Sequence, residues 1–173
     1  MSKILTIVKE PDPRLRRKAV PVKKISPDVQ ELIDAMILTM HAAQGVGLAA
    51  NQVGSALNVL VASADGRQGS ELVLINPVLL NKKGRNRSSE GCLSLPGISS
   101  EVIRFARVTA RALNREGRDI TIEADGLLAK ILQHEVDHLH GSLFVDHLNF
   151  WRRRLLLRKY HSFLEALRKV AVV

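Results

Sequence analysis

The chain has 173 residues, 46% apolar and 25% charged, a balance that excludes a disordered or low-complexity protein and allows one domain with a real core. Its formal charge is +9, but residues 151–173 hold seven basic side chains against one acid, Glu165, so the body is only mildly basic. No apolar run is long enough to span a bilayer, no leader with a cleavage site opens the chain, and the single cysteine, Cys92, excludes an internal disulfide, which together point to a reducing, cytoplasmic setting.

Residues 3–8, Lys-Ile-Leu-Thr-Ile-Val, read as a short strand, and the loop from Glu10 to Leu15 follows. Ser26 and Pro27 are a helix start, and Val29, Leu32, Ile33, Met36 and Met40 give that helix a buried stripe that ends near Gly45. Val, Leu and Ile dominate residues 58–63 and 71–79, as in strands. Alternation over 101–113 and 119–124 flanks Asn114-Arg115-Glu116-Gly117, a hairpin turn. Helical spacing then carries Leu127, Leu128, Ile131, Leu132, Val136 and Leu139, with Asp125 as the cap and Gly141 as the stop. A last helix runs from about 151 to 170. The class is α+β: antiparallel sheets around the 125–141 helix, with an N-terminal and a C-terminal helix. Aromatics make up only 3% of the chain, so the core has to be built of Leu, Ile, Val and Ala.

The chemistry concentrates in Gln133-His134-Glu135-Val136-Asp137-His138. Histidines four apart project from one helix face, within reach of one metal ion. Glu135 lies about 100° round the helix from His134, able to touch a metal-bound water without being a ligand. Leu127 and Ile131 share the stripe of His134 and His138. This is the pattern of a metal-dependent hydrolase with a carboxylate base; the bland alternative is a core helix with two incidental histidines. A metal site needs a third ligand, and Cys92 in Glu90-Gly91-Cys92-Leu93-Ser94-Leu95-Pro96 is a candidate, since a thiolate with two imidazoles suits Zn²⁺ or Fe²⁺. Taken alone, Cys92 also reads as a small buried core residue, the commoner fate of a free cysteine. Gly45-Val46-Gly47-Leu48-Ala49-Ala50-Asn51-Gln52-Val53-Gly54 would let backbone approach a ligand, with Gln52 as a donor. A helix end leading into a tight loop accounts for Gly45 but not for Gln52.

These three stretches resemble, in order, the motifs of the bacterial peptide deformylases. Pro11-Asp12-Pro13-Arg14-Leu15-Arg16 and Glu123-Ala124-Asp125-Gly126-Leu127-Leu128-Ala129 extend the likeness over nearly the whole chain. The resemblance implies one catalytic domain, residues 1–173, that removes the formyl group from the N-terminal formyl-methionine of new polypeptides and releases formate. It implies one divalent ion held by Cys92, His134 and His138. That ion is Fe²⁺ in the family, although these donors also suit Zn²⁺, Ni²⁺ and Co²⁺. Glu135 would take the proton of a water on the ion and pass it to the leaving amine. The Gln52 amide and the Leu93 backbone N–H would face the oxyanion. Leu127, Ile131 and Val46 are expected to hold the methionine side chain, and Gly47 to meet the substrate backbone. Ser88 stands where relatives carry an apolar residue bordering the groove, and Lys130 is expected to point to solvent. Glu90, Asp137 and Arg104 read either as support behind the ligands or as a surface ion pair. His41, His140, His147 and His161 read as surface or structural.

Two other readings compete. A zinc endopeptidase with the same motif takes its third ligand downstream, where His140, His147, His161 and Glu165 have the wrong spacing. A non-catalytic nucleic-acid module would explain the charge, but no finger, aromatic RNA-binding signature or Gly-rich clamp is present. In the last helix, Leu156, Tyr160, Phe163, Leu164 and Leu167 recur on one side, and Arg154, Arg158, Arg168 and Lys169 on the other. The apolar side is expected to pack on the body. The basic side reads either as a solvated face or as a contact for ribosomal RNA, with the protein otherwise a monomer that binds no membrane.

Overall fold

Apolar side chains on both faces build the central sheet. The computed structural model describes residues 3–170, the last three as helix backbone only. Five antiparallel strands lie in the order β1 (Gly47–Ala49), β2 (Val59–Ala62), β3 (Leu72–Lys83), β6 (Arg107–Leu113) and β7 (Asp119–Asp125), and β4 (Asn86–Cys92) pairs with β5 (Leu95–Arg104) as a separate hairpin. On one face Leu48, Val59, Val61, Val73 and Ile75 meet Val29, Ile33, Met36 and Met40 of helix α1 (Pro27–Ala42). On the other, Ala49, Ala62, Ala110, Ala112 and Ala124 meet Ala129, Leu132 and Val136 of helix α2 (Gly126–Leu139). Small side chains on both partners let α2 lie close against the sheet. A third cluster joins Val8, Leu15, Leu95, Val102, Phe144 and Tyr160, and seats helix α3 (Phe150–Val170) on β5. The expected aliphatic core is present, with Phe144 and Tyr160 added.

The α+β architecture of antiparallel sheets around the 125–141 helix is the one expected. Several details differ. Residues 3–9 form no strand; they run extended and make isolated bonds, Leu5 N–H to Thr39 Oγ1 (2.8 Å) and Val8 N–H to the Gln52 carbonyl (2.7 Å), rather than a ladder with a neighbouring strand. The 101–113 stretch is two strands in two sheets. The Gln133 side chain breaks it: its oxygen accepts from Phe105 N–H and its amide donates to the Phe105 carbonyl, both at 2.9 Å. β1 and β4 carry no alternating apolar signal. Helix α1 ends at Ala42, just before Gly45, and Asp125 takes the cap position of α2 with extended backbone but no side-chain cap bond. Gly141 (φ 79°) does stop the region after α2, where a Cβ would collide with the Arg16 carbonyl. Asn114 closes the β6–β7 hairpin through its Oδ1, which accepts from Glu116 and Arg118 N–H.

Candidate metal centre

Two elements bring the expected ligands together. His134 and His138 come from α2, with ring centroids 4.9 Å apart, and Cys92 comes from the end of β4. The ligand atoms of Cys92, His134 and His138 all lie within 4.8 Å of one another, and Cys92 Sγ is 3.1 Å from His138 Nε2. The donor set suits a borderline-soft divalent ion. An orphaned atom fits as well: Glu135 Oε2, on the residue that follows His134, is buried with no protein partner. Buried polar atoms are almost always bonded, so this carboxylate oxygen is left free for a group that the site receives.

Each ligand is held from behind. His134 Nδ1 is 3.0 Å from Glu90 Oε2, which leaves Nε2 free for an ion. Arg104, 4% exposed, grips Glu90 with two parallel bonds (Nε to Oε1, 2.8 Å; Nη2 to Oε2, 3.0 Å) and reaches Asp137 with Nη1 at 2.5 Å. His147 Nε2 closes the set, 2.6 Å from Asp137 Oδ2. Glu90, Asp137 and Arg104 are therefore a buried network behind the ligand and not a surface ion pair. His147 has partners after all. Burial works against the charge on Glu90, but bonds from His134 and Arg104 hold its carboxyl down at about 2. Burial likewise opposes charging His134, and its bonds to Cys92 and Glu90 raise it regardless. Burial pushes His138 down, toward the neutral form that binds metal.

The other wall is held by backbone, amide and hydroxyl groups and by Lys9. Gln52 accepts Ala49 N–H at its Oε1 (2.8 Å), which turns its amide nitrogen toward Ser94 Oγ (3.2 Å) and Cys92 Sγ (3.6 Å). Ser94 N–H points at the same sulfur, 3.4 Å away. The N-terminal segment laces this wall: Lys9 Nζ donates to the Leu93 carbonyl (2.5 Å), and Glu10 N–H donates to the Ser94 carbonyl (3.0 Å). Asn51 Nδ2 donates to the His138 carbonyl. Lys9, Asn51 and Ser94 were not picked out from sequence; only their place beside motif residues could have suggested them.

Burial pushes Glu135 up to about 7, with the Glu90 and Asp137 carboxylates adding to it and His134 opposing. Gly47 packs directly on this side chain: a Cβ there would stand 2.5 Å from Glu135 Oε1 and 2.8 Å from Ile131 Cγ2. The glycine is thus required by Glu135 as well as by any ligand. The centre opens into a groove of about 380 Å³ lined by Val46, Gly47, Leu127, Ile131, Leu93 and Gln52 among others. Lys130, half-buried, lines it too, so the side expected to face solvent also borders the groove. Ser89 borders the groove, whereas Ser88 points to the other side of β4 with its hydroxyl buried and unpartnered. His41 pairs with Glu71 at 2.5 Å, and His140 and His161 are exposed, so all three stay outside the site. A second cavity of about 470 Å³ lies beside Asp137 and His147 and touches none of the three ligands.

Comparison with known proteins decides the family. The polypeptide deformylase family model matches residues 4–154. The chain belongs to the polypeptide deformylase family. A peptide deformylase of Alkalilimnicola ehrlichii is 48% identical over 157 residues, which covers 90% of this chain and 88% of that protein. The crystal structure of a peptide deformylase from Legionella pneumophila superposes with a TM-score of 0.92 at 41% identity, covering 95% of this chain and 98% of that one. The peptide deformylase from Ehrlichia chaffeensis, solved in complex with actinonin, gives 0.86 at 36% identity, with 91% and 95% covered. Membership in this deformylase family makes the centre metal-dependent, and the Cys92, His134 and His138 cluster is the group able to hold the ion. No described helix is long and apolar enough to cross a membrane.

Proposed function

We propose that this chain removes the formyl group from the N-terminal formyl-methionine of newly made polypeptides and releases formate, with Cys92, His134 and His138 holding one divalent ion. The observation that carries the reading is the meeting of these three side chains beside a buried, partnerless Glu135 in a chain of the deformylase family. When bound, the ion supplies an acidified water and polarises the formyl oxygen. Glu135 takes a proton at Oε2 and returns it to the leaving amine, as a buried carboxylate without a protein partner at that oxygen can do. Gln52 Nε2 and the Leu93 N–H donate to the developing oxyanion. Leu127, Ile131 and Val46 hold the methionine side chain. β1 is an edge strand, so its free side offers backbone groups near Gly47 to an extended substrate. Fe²⁺ is the ion assigned, on the family likeness.

The same reading makes residues 1–173 one catalytic domain, monomeric and cytoplasmic, with α3 as a basic contact for the ribosome. Support for that last role comes from an exposed patch: Trp151, 75% exposed, lines a shallow surface pocket with Arg154, Leu155 and Arg158. The side chains of Arg168 and Lys169 lie outside the described ones.

Formate release from a formyl-Met peptide tests the reaction, with no cleavage of internal bonds and no turnover of the unformylated peptide. Cys92→Ser should lose metal in dilute chelator, since a thiolate gives way to a weak neutral hydroxyl. Internal cleavage without formate would make this an endopeptidase. Metal analysis of anaerobically purified protein identifies the ion. Arg154→Glu with Arg158→Glu should abolish low-salt cosedimentation with ribosomes, and unaltered sedimentation would retire the ribosome contact.

A further inference from the structure

The groove carries one basic side chain outside the ligand set. Besides the ligands Cys92 and His134, the ionisable side chains that line it are Glu90, locked in the Arg104 pair, Glu135, buried at the centre, and Lys130. Lys130 is half-buried and forms no ion pair or hydrogen bond among the described residues. It precedes His134 by one helical turn, so its Cα lies about 6 Å further along the helix axis. It stands beside Leu127 and Ile131, the residues assigned to the methionine side chain. An extended peptide advances about 3.3 Å per residue, and a lysine stem spans a comparable reach to two such steps. A formyl group at the metal centre therefore leaves the second and third residues of the peptide within range of the Lys130 ammonium.

We propose that Lys130 is a specificity-determining residue that favours formyl-Met peptides with an acidic side chain at position two or three and disfavours a basic one there. The inference rests on the deformylase reading of the same groove. An unpaired ammonium in a half-enclosed groove attracts a carboxylate and repels a second ammonium, and the partly apolar walls weaken screening relative to open solvent. The stem covers apolar wall while the charged tip stays at the mouth. The preference lies in kcat/KM, because the charge pair forms on binding and persists through the reaction.

The test uses the metal-loaded enzyme and formyl-Met tripeptide amides that carry Glu, Ala or Lys at the second or the third position, each rate normalised to formyl-Met-Ala-Ala for the same variant. At low salt the wild type should prefer Glu over Ala, and Ala over Lys, by about 2- to 5-fold per step at one of the two positions. The order should flatten at high salt. Lys130→Met should erase it, and Lys130→Glu should invert it. Equal Glu-to-Lys ratios in wild type, Lys130→Met and Lys130→Glu would overturn the inference while leaving deformylation intact. Failure of the wild type to release formate from any of the peptides would instead overturn the deformylase reading itself.

Discussion

Helices α2 and α3 share an amphipathic pattern but are embedded very differently. α2, with 14 residues, buries Ala129, Ile131, Leu132, Gln133, Glu135, Val136, His138 and Leu139, polar side chains included. α3, with 21 residues, has Tyr160 as its fully buried side chain among those described and leaves Phe150, Trp151, Leu155 and Leu167 largely exposed. Leu167 does not pack on the body as the spacing predicted, and Phe163 is 39% exposed although its ring lies on Gly97. The family match ends at residue 154, within the first two turns of α3. Depth of burial thus follows chemistry: α2 must hold ligand atoms still, whereas α3 seals one flank and leaves its other face exposed.

That contrast can be broken from the α2 side first. Glu135→Ala should retain the ion and lose turnover by about 10²–10⁴-fold, the usual worth of a general base; near-normal rates with full metal content would remove Glu135 from the mechanism. Arg104→Met strands the Glu90 and Asp137 carboxylates behind His134. It should cost about 3–5 kcal/mol of stability and, through His134, about 10–100-fold in metal affinity, both readable by denaturant titration and by competition with a chelator. Gly47→Ala pushes on Glu135 and Ile131, so overpacking of about 1–3 kcal/mol should come with a fall in kcat larger than any change in metal content.

The α3 side should respond weakly. Tyr160→Phe removes one hydrogen bond, Oη to the Glu10 carbonyl at 3.0 Å, and should lower stability by about 1 kcal/mol with a small loss of rate. Trp151→Ala, at a side chain 75% exposed, should shift stability by less than about 0.5 kcal/mol. A large thermal shift in that variant would mean that α3 is as deeply built in as α2.

The parts legible in sequence were those encoded locally. The spacing of His134 and His138 needs only a helix, and the stripes of α1 and α2 follow from period alone. Cys92 became a ligand in the reading through likeness to a family, since nothing near it in sequence distinguishes it from a core thiol. β4 stayed hidden because Asn-Arg-Ser-Ser-Glu-Gly has no apolar alternation; its pairing is supplied by β5. The break at Phe105 was invisible because the side chain that makes it, Gln133, is 28 residues away. The place of Lys130 at the groove was not legible for a related reason: helical period puts a side chain on a face, but whether that face also borders a groove depends on β1 and the β4–β5 hairpin.

The lacing around Leu93 and Ser94 also bears on how the enzyme comes into being. Lys9 reaches Leu93 across 84 positions, and Tyr160 reaches Glu10 across 150. Contacts this remote carry a large loop-closure cost and belong to the kind of topology that folds slowly. The wall that carries Gln52 and Cys92 is thus tied, through Glu10, to a residue synthesised after all three ligands. A growing chain that lacks Tyr160 cannot make that tie, so the lacing of this wall waits on α3.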